Sequence, residues 1–285
     1  MIHHAQSIDD PALELFRNLR DRDLRGNHDS YVVESPRVVQ RFLQSTQLGT
    51  HAVERLLLTP ELLQEFETAI SSLAPSIPIN VAPLEVMHEI SGYRFHGGAL
   101  AIGSRRRGDG TLPALLSNLP QERCTLLIAQ GVSNMDNVGS FFRHTAALGA
   151  DGIILTDGCS DPLLRKSIRV SMGWVFSIPW ATCASLSEAI PHLRELNIQC
   201  IALENLPEAI SLEKFSWPKR SALLAGNEGH GLDSATIALC DYSVRIPGPA
   251  NCPDTQKPGG SDERSLNVSA AAAIALYARN ACETS

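Results

Sequence analysis

Five short, mostly apolar runs from residue 124 onward constrain the fold of the chain more than any other feature. They are CTLLIAQ (124–130), DGIILT (151–156), IQCIALE (198–204), SALLAG (221–226) and YSVRIP (242–247). Each is too short for a free-standing helix, and all but YSVRIP lack a strict alternation of apolar with polar residues. Such runs fit strands buried on both faces, as in a parallel sheet. Between them lie helical patterns: a segment of about 138–148 closed by Gly149, then RKSIRVSMG, SLSEAIPHLREL and an alanine-rich stretch over 267–280. FSIPW adds a further strand between the second and third of these. Strand and helix in alternation predict an α/β protein with a mostly parallel sheet covered on both faces.

The first hundred residues carry a shorter version of the same alternation. Residues 9–20 read as a helix that Asp9 or Asp10 caps and that has Pro11 in its first turn. YVVES is a strand, and a helix starts near Ser35-Pro36. VERLLLT, the helix PELLQEFETAI, PINVAP, a helix around 84–90 and the strand GALAIGS follow. The spacing predicts a small α/β domain over 1–106, a turn-rich linker over 107–122 and a larger domain over 123–285.

A length of 285 residues suits two domains, and an apolar fraction of 44% can fill ordinary cores. No apolar run reaches membrane-spanning length, and MIHHAQSIDDPALELF has no basic segment leading into an apolar one. Seven scattered cysteines without a CxxC pair imply reduced thiols in a cytoplasm, and no metal spacing is present. The net charge of −7 means that a nucleic-acid partner would need a local basic face. Arg94 with Arg105, Arg106 and Arg107 is one candidate, and Arg165, Lys166 and Arg169 form another. Solvated surface charge explains either group equally well. GNEGHG (226–231) spaces its glycines as G-x-x-G-x-G, which is not the dinucleotide fingerprint. P-loop and nucleophile-elbow motifs are absent.

Three segments place polar residues where the chain enters or leaves an apolar run. NMDNVGSFFRHTAALGADGIIL (134–155) carries Asn137 and Arg143, LLAGNEGHGL (223–232) carries Glu228, and SLNVSAAAAIALYA (265–278) carries Ser265 and Asn267. Asn137, Ser265 and Asn267 each also read as helix caps, and Glu228 as an ordinary turn acid. A carboxylate in a glycine-rich turn after a buried strand nevertheless sits where α/β proteins build ligand sites.

The order and spelling of these segments resemble the SpoU (TrmH-like) branch of the SPOUT methyltransferases over roughly residues 123–280. The resemblance implies a deep trefoil knot in the carboxyl-terminal domain, and S-adenosylmethionine as cofactor, held by main chain near Gly226, Ile246 and Leu266. It implies methyl transfer to a ribose 2′-hydroxyl, with Asn137, Arg143, Glu228, Ser265 and Asn267 as catalytic residues. It also implies a homodimer formed through that domain. VVES…VVQRFL and GYRFHGGALAIGS make the first domain similar to the L30e-like substrate-binding domain that precedes many SpoU catalytic domains. That points to ribosomal RNA ahead of transfer RNA. A non-catalytic RNA-binding protein on the same fold is the competing reading. PGPANCPDTQKPGGSDER, between Ile246 and Ser265, is longer than the family's usual loop.

Overall fold

The computed structural model describes residues 2–17, 30–47, 51–91, 97–105, 110–248 and 266–283. It divides into two compact units, Met1–Asp109 with Pro162–Ser177, and Gly110–Asp161 with Ile178–Ser285. Arg94, Arg106, Arg107, Ser265 and nearly all of the 247–264 loop lie outside the described residues.

The chain opens with β1 (Ile2–His4) and a single 3-10 segment, Pro11–Phe16. Asp10 caps that segment by accepting from Ala12 N. It is tighter and shorter than the helix predicted over 9–20. β2 (Ser30–Glu34), α1 (Pro36–Gln47) and β3 (Ala52–Leu58) follow. The single helix predicted for PELLQEFETAI breaks at Phe66 into α2 (Pro60–Glu65) and α3 (Glu67–Ser71). Phe66 is 2% exposed, and turning there points its ring inward. β4 (Ile79–Val81), α4 (Leu84–Ser91) and β5 (Ala99–Ser104) complete a five-stranded mixed sheet of order β1-β4-β3-β5-β2. β1, β4 and β3 are parallel, while β5 runs antiparallel to both β3 and β2.

The second unit begins with α5 (Leu112–Ser117), inside the segment predicted to be a linker. That expectation is corrected by packing: Leu112, Leu115 and Leu119 are buried in the core of this unit. Their spacing of three and four residues is helical, but three leucines among turn residues are too few to announce a helix. β6 (Cys124–Ala129), α6 (Met135–Leu148) and β7 (Gly152–Thr156) come next. α7 (Arg165–Val170) and the turn Trp174–Phe176 pack with the first unit. Tyr31, Phe42, His51 and Phe176 form one aromatic cluster there, which draws this stretch in. β8 (Trp180–Cys183), α8 (Leu186–Glu195), β9 (Gln199–Leu203), β10 (Ile210–Ser211), β11 (Arg220–Ala225), α9 (Ser234–Leu239), β12 (Tyr242–Arg245) and α10 (Val268–Glu283) finish the chain.

These strands make a seven-stranded sheet of order β10-β12-β9-β11-β6-β7-β8, parallel throughout. Every residue of β6 and β7 is buried, as the unbroken apolar runs require. The six described cysteines form no disulfide, and burial pushes the Cys200 thiol up to about 12. No helix among the described residues is long and apolar enough to cross a membrane. If α5 is part of the core and not a tether, Leu115→Ala should lower the unfolding free energy by about 2–5 kcal/mol in chemical denaturation. A wild-type midpoint would show that the helix packs on nothing of consequence.

Candidate active site

The carboxyl ends of the parallel strands set the site. β11 pairs with β6 in full register, so Ala225 lies opposite Ala129 and the two strands end together. Gln130 N donates to Ala225 O across that end. β12 and β9 end alongside, with Val244 opposite Leu203 and Glu204 N donating to Val244 O. The chain runs outward through β6, β7 and β8, then crosses to β9 on the other side. Loops diverge at such a reversal, and ligands bind in the crevice they leave.

GNEGHGL closes on itself directly after β11. Asn227 N donates to Gly231 O and Gly231 N to Asn227 O. A Cβ on Gly226 would lie 2.2 Å from the Gly231 carbonyl carbon, so no other residue fits. The Asn227 side chain accepts from Gly229 N at 2.8 Å and donates to Gly131 O at 2.8 Å, which ties the turn to the loop after β6. Glu204 braces its far side by accepting from Leu232 N at 2.8 Å. Glu228, at the tip, is exposed.

Asn137 does not cap its helix. Asn134 does, by accepting from Asp136 N, and Asn137 is the third helical residue, 4% exposed. Its Nδ2 donates to Glu228 Oε1 at 2.6 Å, and its Oδ1 accepts from Asn267 Nδ2 at 2.9 Å. Asn267 Oδ1 in turn accepts from Ser269 N at 2.9 Å and Ser269 Oγ at 2.7 Å, which caps α10. Three residues from three distant segments thus form one hydrogen-bonded row. Near the other ends of the helices, Asn280 Nδ2 donates to Leu148 O. α6 and α10 therefore run parallel and are pinned at both ends.

Of the remaining predicted residues, Gly226 follows β11 and Ile246 follows β12, half-buried. Leu266, next to Asn267, is 50% exposed. Ser265 lies outside the described residues. Arg143 is exposed on α6 and has no hydrogen-bond or ion-pair partner among the described residues. Beside it, burial holds His144 below its ordinary range, with the main chain of Ser269 opposing and the charge of Arg143 adding to the shift. Among the described residues no cluster of His, Cys, Asp and Glu could hold a metal ion. Sequence reasoning missed Asn227 and Glu204. Asn227 between two glycines was a readable turn signal. Glu204 carried none, because its partner is 28 residues away.

A parallel sheet with a glycine turn and a glutamate–asparagine–asparagine row at its carboxyl edge defines an α/β protein with a ligand site of the kind such sheets build at strand ends. Residues 125–277 match the SpoU rRNA Methylase family, and the chain belongs to it. It is 32% identical over 283 residues to an uncharacterized tRNA/rRNA methyltransferase of Mycobacterium tuberculosis, covering 95% of this chain and 89% of that one. It is 28% identical over 244 residues to a 23S rRNA (guanosine-2′-O-)-methyltransferase of Salmonella typhi, covering 80% and 95%. The fold is shared with an AdoMet-bound rRNA methyltransferase from Sinorhizobium meliloti, at a TM-score of 0.78, 22% identity and 98% coverage of both chains.

Two outcomes follow from this geometry. Gly226→Ala should destabilise the protein by about 1–3 kcal/mol through overpacking. Gly229→Ala, whose Cβ would first meet the Asn227 side chain at 3.3 Å, should cost less. Equal losses in thermal unfolding would refute the close approach. His144 binds its proton more weakly folded than unfolded, so its contribution is present above the unfolded value of about 6.5 and is lost as pH falls below it. Stability should therefore drop on acidification, and less steeply in His144→Gln; parallel pH profiles would show that another group is responsible.

Proposed function

We propose that this chain transfers a methyl group from S-adenosylmethionine to a ribose 2′-hydroxyl of RNA, with ribosomal RNA as the substrate and a homodimer as the working form. The observation that carries the reading is the Glu228–Asn137–Asn267 row, which joins the three segments spelled in the family's order. The named activity of the Salmonella relative favours ribosomal over transfer RNA. The first unit fits the L30e-like substrate-binding role, and the segments after β11 fit the family's trefoil knot. A cytoplasmic setting agrees with buried thiols that form no disulfide.

The residues at the carboxyl edge suit the cofactor. Gly226 follows β11 with no side chain, and Ile246 and Leu266 are partly exposed apolar residues. Main chain at Gly226, with Ile246 and Leu266, would hold S-adenosylmethionine, which would supply the electrophilic methyl group for the ribose oxygen. Much of the acceleration then comes from holding the hydroxyl in line. Asn137 and Asn267 are fixed by each other and by Glu228, so they can orient the ribose without reorganising. A guanidinium does not give up its proton in proteins, so Arg143 is not the base. It stabilises the developing alkoxide and orients the neighbouring phosphate, which takes the proton.

Exposure of Arg143 supports a dimer in which it completes the pocket of the partner subunit. Ile274 (40% exposed) and Tyr277 (67%) stand one helical turn apart on α10 and supply apolar surface for that contact. Arg143→Ala should lower turnover on unmodified 23S rRNA by roughly 100-fold, the effect of one lost oxyanion donor. Affinity for S-adenosylmethionine in calorimetry should stay within about twofold, well under 1 kcal/mol. Loss of cofactor binding in this variant would place Arg143 in the wrong role.

A further inference from the structure

A chain carrying a net charge of −7 must concentrate positive charge somewhere to hold RNA. The first unit does so with two segments far apart in sequence. Glu34, at the end of β2, is 4% exposed. Its Oε2 accepts from Arg165 Nε at 2.7 Å, and its Oε1 lies 3.4 Å from Arg169 Nη1. Both arginines come from α7. Ser35 then turns the chain directly into α1, which carries Arg37 and Arg41 in its first turns. The Arg41 guanidinium lies 3.7 Å over the Trp174 ring and donates to Met172 O. Burial, and next the charge of Arg37, lower the pKa of Arg41, so the two cations sense each other. Lys166 is on α7 between Arg165 and Arg169.

Two arginines thus share one carboxylate, and the helix that follows its strand carries Arg41, held over Trp174, with Arg37 close enough to sense it. A lone ion pair would satisfy Glu34. Further arginines fixed by stacking and by main-chain acceptors do not improve that pair, and they raise mutual repulsion. They make sense if a polyanion neutralises them. Arginine forks match phosphate oxygens, and side chains already held in place lose little freedom on binding.

We propose that the face formed by the first turns of α1 and by α7 grips the phosphate backbone of the RNA substrate. Arg37 and Arg169 make its outermost contacts, since Arg37 is exposed and the Arg169 side chain is 57% exposed. Contacts of this kind set register and carry no sequence information. The inference rests on the chain being an RNA methyltransferase.

The test compares the full chain with the double variants Arg37→Glu/Arg169→Glu and Arg37→Ala/Arg169→Ala, and with Lys214→Glu, at an exposed cation of the second unit, as a control. Affinity for an unmodified in vitro transcript of 23S rRNA is measured at several salt concentrations. Two lost phosphate contacts shallow the log–log salt slope by roughly 1.4–1.8. Between 50 and 200 mM salt the wild type therefore loses about tenfold more affinity than the alanine pair. Cofactor affinity should match wild type in both pairs, the alanine pair should stay folded at the assay temperature, and Lys214→Glu should keep the wild-type slope. An unchanged slope in the double variants would overturn the face as an RNA grip, as would an equal loss in Lys214→Glu. A wild-type chain that binds no transcript would sink the RNA reading itself. Binding to phosphatidylserine vesicles, but not to the transcript, that depends on these arginines would give the face to a membrane surface.

Discussion

The side chain of Asn137 must satisfy both halves of its amide while almost wholly removed from water, and the rest of the second unit's site is arranged by how it does so. A carboxylate can only accept, so Glu228 obliges the Asn137 amide to present its NH₂ group. The Asn137 oxygen then faces Asn267 and receives that residue's NH₂. The Asn267 oxygen is left over, and it caps α10. Direction passes from one residue to the next, so a polar row at the sheet edge also fixes where the last helix begins. An unsatisfied buried amide would cost about 1–3 kcal/mol, which gives each neighbour a definite place.

The sheet supplies the rigid frame for this row. β6 and β11 are paired in full register and buried on both faces, so their ends cannot drift apart. The loops leaving them are then held by side chains from their neighbours: Asn227 reaches Gly131, and Glu204 reaches Leu232. A main-chain cofactor cradle needs this kind of support, because main chain has no side-chain rotamers with which to adjust. Arg143 is the exception: it is exposed and has no hydrogen-bond or ion-pair partner among the described residues.

Electrostatics divides the work differently. The net charge is −7, and two arginines, Arg165 and Arg169, share the one carboxylate of Glu34. That single buried carboxylate orients both directly. The strand end that carries it delivers Arg37 and Arg41 through the next turn.

Sequence by itself determined the parallel sheet, because runs such as CTLLIAQ and DGIILT have no face that tolerates water. It also determined the family, through residues whose order survives whatever the loops do. It could not decide which of the cap-forming residues in NMDN begins α6, since Asn134, Asp136 and Asn137 can all cap. Only the fold chose Asn134, which released Asn137 for the site. The same limit hid Glu204, α5 and the packing of α7 with the first unit. Each depends on contacts between residues distant in sequence, and local pattern carries no record of a partner that the chain meets only after it has folded.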